Sequence, residues 1–443
     1  MRRICLTLPT NRPCAATIAA IGAEAAYAAE HFGAEVHLLI LDSCDAPVLA
    51  AHARAVRALR PVPGVVVHHL DEPAQRDFLR RVIRDAGVAK PELMLELMLP
   101  AEPSYGACTN RAFLIAAALG CASVHRRDSD SRYQTHGGAP VFPVHHELRT
   151  LGRRAADAAP RVSETALDPR YADRPVAMAG SSFVGEPSVD LAEIERLDPA
   201  LYADIVGLWA PAGQPEQARR QLVAESFRGA GTAPFTGDHA LLTLVDPMRV
   251  DMCNISFHQV HERVPLPPAT NTIGSDYFLI HLVHDAALPG VLHNRNIVNF
   301  YTGARRTGPG FVAYQLRYVK FLLSMLYFHA VYDRMARAGG SLLDDRQQVR
   351  APLIAGFVRE STALDRTENL DRLAVLDTSY RQLGGKYAVV ADVVASRRAR
   401  LLHEAGQDMA DFALLIEEWA ALIGAARAGG PHRIPHRPDR DRR

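Results

Sequence analysis

No two of the six cysteines stand in C-x-x-C spacing; they lie at 5, 14, 44, 108, 121 and 253. A chain of 443 residues buries a large core without covalent staples. A disulfide scaffold is therefore excluded, and a reducing, cytoplasmic compartment is expected, with most thiols packed as small apolar groups. Lysine is almost missing, at three residues, and Lys+Arg of 50 balances Asp+Glu of 49 for a formal net charge of +1. That balance gives no general electrostatic reason to bind nucleic acid or an anionic membrane. No stretch approaches the ~20 apolar residues of a membrane span. The best candidate, FLLSMLYFHAVY from Phe321, follows Arg317 and Lys320 and reads as a buried helix. The apolar run after Met1-Arg2-Arg3 is cut off by Thr10-Asn11-Arg12, too early for a secretion signal. The first turn carries no G-x-G-x-x-G, which excludes a dinucleotide oxidoreductase and counts against a nucleotidyltransferase with a Gly-rich phosphate loop.

What is present is an ordinary globular composition, 48% hydrophobic and 22% charged, with 19 histidines. It excludes a wholly disordered or fibrous chain. Apolar runs at 3–9, 36–42 and 64–70 alternate with helical stretches at 15–32, 46–59 and 73–86. Strand, helix, strand is the pattern of a parallel sheet covered on both faces, and ligands bind such sheets at the carboxyl ends of strands. Pro9 to Arg12 and Asp42 therefore fall at one rim. A helix over 110–119 leads to a fourth strand, 121–126, and then to Asp128-Ser129-Asp130. Further on, 277–287 reads as a helix, VLHNRNIVNFY returns as a strand, and 345–428 is helical in pattern. The expected division is an α/β half at 1–135, a second half completing the core at 136–310, a helical region at 311–428 and a disordered basic tail at 429–443. A homodimer through the last helices is left open.

Two close carboxylates make a hard oxygen site suited to Mg²⁺ or Mn²⁺, metals that commonly bridge to phosphates. The same tripeptide also reads as an acidic turn in solvent. Arg126, Arg127 and Arg132 either hold diphosphate oxygens or neutralise the acids. Asp276 stands before an apolar helix, where a cap is the plain alternative to a base. The His258-x-x-His261 pair reads as packed or acceptor-facing. A thiol enzyme using Cys108 with His125 or His136 has no supporting motif.

Three segments together resemble a glycosyltransferase of the GT-A fold, the nucleotide-diphospho-sugar transferase class. They are LPTNRP with the later LLILD, GACTNRAFLIAAALGCASVHRRDSD, and GSDYFLIHLVHDAALPGVLHNR. The resemblance covers roughly residues 3–300 through short motifs. It implies a Rossmann-type, mostly parallel sheet flanked by helices, with a helical C-terminal extension. It further implies metal-dependent transfer of a sugar from a nucleotide-diphosphate donor to a small soluble acceptor, with Mn²⁺ or Mg²⁺ as cofactor. Asp128, Asp130 and His293 would hold the metal, Asp128 also touching donor ribose. Pro9, Thr10, Asn11, Arg12 and Asp42 would line the nucleotide pocket. Asn110 and Arg111 would face the donor, Arg305 would close over the diphosphate with Tyr301 and Arg306, and Asp276 would be the general base of an inverting transfer. The competing readings are a sugar nucleotidyltransferase, a diverged transferase of another group, and a non-catalytic nucleotide-sugar-binding protein.

Overall fold

The computed structural model describes residues 2–300, 303–306 and 308–434. Four strands run side by side in its first half: β1 (Arg3–Thr10), β2 (Glu35–Asp42), β3 (Val65–Asp71) and β4 (Ser123–Arg127). They pair in parallel, with Thr10 beside Asp42, Asp42 beside Asp71, and Thr7 beside Arg126. β1, β2 and β4 are buried almost throughout, as strands covered on both faces must be.

The helices between them begin and end on local chemistry. α1 (Ala15–Phe32) stops at Gly33, whose φ of 60° takes the left-handed conformation that glycine adopts without strain. α2 (Ala46–Arg57) starts at Asp45, which accepts from the Val48 N–H, and α3 (Glu72–Ala86) starts at Asp71, which accepts from the Ala74 N–H. α4 (Pro91–Met98) and α5 (Tyr105–Ala118) complete this half. Twelve of the fourteen residues of α5 are buried, so its polar side chains must find partners inside the protein.

The same sheet continues beyond β4. Among the described residues it has nine strands, ordered β3, β2, β1, β4, then 254–258, 178–180, 290–293, 240–243 and 164–165. The strand Asn254–His258 is antiparallel to β4, with Asn254 opposite Arg127. The sheet is mixed and mostly parallel, flanked by helices. VLHNRNIVNFY is not one strand. Gly290–His293 stays in the large sheet, whereas Ile297–Asn299 joins Phe183–Gly185 and Ser131–Tyr133 in a small one. The break is held by side chains: Asn294 accepts from the His239 N–H at 2.9 Å, and Asn296 accepts from the Ser182 N–H at 3.1 Å.

From Gly308 the described chain is almost entirely helical, through Gly308–Ala338, Ala351–Ser361, Thr367–Leu383 and Gly385–Gly429. These helices share one apolar core with α3, α5 and the sheet. Trp419 is fully buried there, its indole N–H donating to the His261 carbonyl at 3.0 Å. No described helix is long and apolar enough to cross a membrane. The tail expected at 429–443 is in part packed, because Ile434 is buried against this core. Residues 435–443 lie outside the described residues, as does Tyr301.

Candidate active site

A cleft of about 380 Å³ opens at the carboxyl ends of β1 and β4. The turn after β1 forms one wall, with Pro9, Thr10, Asn11 and Arg12 all lining it. Its shape follows from Thr10, whose hydroxyl accepts from the Arg12 N–H at 3.3 Å and donates to the Arg12 carbonyl at 2.9 Å. The turn after β4 brings Asp128 and Asp130 to the same cleft and is tied by Ser131, which donates to the Asp128 carbonyl at 2.7 Å.

The acids are not alone. Arg12 and Arg305 both reach Asp130 Oδ2, Arg305 at 3.2 Å. Arg126 extends from β4 between two carboxylates. Its Nη2 is 3.0 Å from Asp128 Oδ1, and its Nη1 donates to Asp276 Oδ2 at 2.6 Å. Asp276 lies in the short turn Ser275–Tyr277, ahead of the helix Phe278–Asp285, and caps nothing with its side chain. Burial pushes its carboxyl above the usual range, against the pull of Arg126. Burial pushes the Asp128 carboxyl up to about 6, with Arg126 opposing and Asp130, Asp276 and Asp251 adding like charge.

Asp251 was not singled out from the sequence, yet it lines the cleft and accepts from the Tyr277 hydroxyl. It precedes a strand that runs antiparallel to β4, so the start of that strand meets the end of β4. The signal was available as Asp251 three residues before an apolar run, but its meaning depends on which strand that run pairs with.

Other expected residues fall elsewhere. Asp42 does not line the cleft. It is 1% exposed, with Oδ2 taken by His52 Nδ1 and His69 Nε2, each at 2.8 Å, and Oδ1 accepting from the Cys44 N–H. Those bonds hold its carboxyl below the usual range against burial. Asn110 does not line the cleft, pairing instead with the Leu266 backbone in both directions at 2.8 Å. Arg111 borders the cleft, but its guanidinium donates to Gln75 Oε1 at 2.8 Å and to the Met98 carbonyl at 2.7 Å. Both residues sit on the buried helix α5, which explains why their polar atoms turn inward.

His293 is the clearest correction. It is 3% exposed and lies beside Glu147, at 4.0 Å, and His146, whose ring is 5.6 Å away. It does not join Asp128 and Asp130. Glu147 belongs to a separate buried network with His125, Arg127 and Glu24. His125 is therefore held by Glu147 at 2.7 Å and Ser123 at 2.9 Å, not by a cysteine. Burial pushes the Cys108 thiol up, away from a reactive thiolate. His258 Nδ1 donates to the Ala122 carbonyl at 2.8 Å, and His261 packs against Phe113.

Among the described residues, one group of three side chains brings metal-type ligand atoms within 4.8 Å of one another: Asp42, Cys44 and His52. His52 is already spent, because Nδ1 meets Asp42 and Nε2 accepts from the Cys14 N–H at 2.9 Å. At Asp128 and Asp130 the chemistry fits a different kind of ion. Mg²⁺ typically binds through one or two carboxylates plus substrate phosphates and waters, without an all-protein cage. Two cleft-lining carboxylates, each with one oxygen engaged by a guanidinium, match that donor set.

No curated protein matches the chain. Among solved structures it is similar to a mannosyltransferase from Pyrobaculum calidifontis, in complex with GDP-Man and Mn²⁺, at 13% identity and a TM-score of 0.33, over 97% of this chain and 87% of that one. A family described as one of unknown function (DUF6271) matches residues 2–435, and the chain belongs to that family.

Proposed function

We propose that the protein transfers a glycosyl group from a nucleotide-diphosphate sugar to a hydroxyl-bearing small molecule. The observation that carries this reading is the meeting of Asp128, Asp130 and Asp276 with Arg12, Arg126 and Arg305 in one cleft at the ends of β1 and β4. Arg12 and Arg305, oriented by Asp130, offer guanidinium donors to the diphosphate. The turn Thr10–Arg12 borders the nucleotide. Asp128 and Asp130 would hold Mg²⁺ or Mn²⁺, which supplies charge neutralisation for the leaving diphosphate when bound.

Asp276 takes the proton from the acceptor hydroxyl. The acceptor hydroxyl oxygen then bonds to the anomeric carbon while the bond from that carbon to the diphosphate oxygen breaks, the electron pair leaving with the diphosphate. A raised carboxyl pKa suits this role, because a base is most effective when its pKa lies near the working pH. Arg126 holds Asp276 in place and prevents the carboxyl from rising further.

The test is a thermal-shift panel of UDP-, GDP-, ADP- and dTDP-sugars, with and without Mn²⁺. One of them is expected to raise Tm in a Mn²⁺-dependent way, and Asp130→Ala to remove that dependence. No stabilisation by any of them overturns the donor assignment. Stabilisation that survives Asp130→Ala unchanged overturns the metal assignment.

A further inference from the structure

The polar residues occupy only part of the cleft. Much of the rest is walled by aromatic and apolar side chains, and two sets of them face each other. The helix Gly308–Ala338 presents Phe321, Met325, Phe328 and Tyr332, spaced so that they form one stripe along its face. Facing it, Trp209 and Phe227 stack with ring centres 5.1 Å apart and 9° between planes. Trp209 meets Phe321 edge-on at 5.7 Å, so the two walls join.

Two further observations mark this compartment as more than core. Phe227 has a φ of 64°, a conformation that a bulky residue adopts only under strain. The strained residue is the one whose ring is laid flat on Trp209 at the cleft wall. Then the turn carrying Asp276 lies directly against the apolar wall: a Cβ added at Gly274 would stand 2.8 Å from Phe321 Cε2. The carboxylate and the aromatic wall thus share one boundary.

Resting on the transferase reading, we infer that this compartment is the acceptor site and that it takes an apolar, ring-bearing molecule presenting a single hydroxyl toward Asp276. Flat aromatic walls recognise a planar apolar body by contact area and stacking. A polyhydroxylated sugar acceptor would leave most of its hydroxyls without partners there.

The experiment titrates the full-length protein with 4-methylumbelliferone, a planar phenol, and with methyl glucoside, by isothermal titration calorimetry. A nucleoside diphosphate with Mn²⁺ is titrated separately. The phenol is expected to bind at least tenfold more tightly than the glucoside. Phe321→Ser and Met325→Trp, one opening the wall and the other filling the space, should each weaken phenol binding tenfold or more while nucleotide binding stays as in wild type. Phenol binding unchanged in Met325→Trp, or tighter binding of the glucoside, overturns the proposal. Phenol binding without any nucleotide binding supports the apolar site and overturns the transferase reading alone.

Discussion

Arg126 donates to Asp276 at 2.6 Å, tying the end of β4 to a turn 150 residues further along the chain. The guanidinium is almost fully buried and also meets Asp128, so one cation serves two carboxylates that burial would otherwise neutralise. That shared role makes its removal costly.

Replacing Arg126 with Met leaves Asp276 and Asp128 without their counter-charge. Breaking a buried pair by removing one partner typically costs about 3–5 kcal/mol. Urea unfolding at neutral pH is expected to show a loss of that size, and a smaller loss in the Arg126→Met, Asp276→Asn double variant. Equal losses in the two would show that the carboxylate is not the cause.

Asp276→Asn keeps the size and an acceptor oxygen for Arg126 but removes the proton acceptor. Turnover with the cognate donor and acceptor should fall about 10²–10⁴-fold, the usual contribution of general base catalysis. The nucleotide Kd should hold. Near-normal turnover rejects Asp276 as the base.

Gly274 combines a φ of +69° with the close approach of Phe321. An alanine there is disfavoured by roughly 1–2 kcal/mol for the left-handed conformation alone, before the contact with Phe321 is counted. Gly274→Ala is expected to lower the unfolding midpoint and, by shifting the neighbouring turn, to reduce turnover more than nucleotide affinity. A variant as stable and as active as wild type would refute the close fit.

Away from the cleft, Asp285 is pushed up to about 6 by burial, with His284 opposing and Asp333 reinforcing. A carboxyl with a raised folded pKa favours the folded state below its unfolded pKa, and that contribution is lost as pH rises through about 6. Asp285→Asn should therefore be more stable than wild type at pH 7.5, with the difference shrinking toward pH 4. Parallel stability curves across that range would contradict the shift.

Much of the first half was legible because its signals are local. β1 to β3 are short, largely apolar runs bounded by breakers, and the ends of parallel strands converge on one rim. Thr10, Asn11, Arg12, Asp128 and Asp130 could be placed near one another from that rule, and the cleft brings them together. Asp42 obeyed the same rule for its backbone, but two histidines from α2 and β3 claimed its side chain. Nothing within a few residues of Asp42 announces both of those partners.

The second half was less legible for a related reason. His293 and Asp251 lie near strand ends alike, and spacing alone does not say which one meets β4. Strand order decides it: Asn254–His258 lies next to β4, and Gly290–His293 lies two strands further out. The amphipathic order of the C-terminal helices was readable, but not that Phe321 and Tyr332 would wall a cleft formed at the opposite end of the chain.

By itself the sequence determined the α/β alternation and the helical C-terminal region, and put the turn at Arg12 and the acids at Asp128 and Asp130 each at a strand end. These follow from residue periodicity and from where strands must end. Only the tertiary structure decided which carboxylates share Arg126, which histidines are spent inside the core, and that an aromatic wall adjoins Asp276. Those outcomes depend on contacts between segments far apart in the chain, where burial forces each polar group to take whichever partner the packing brings within reach.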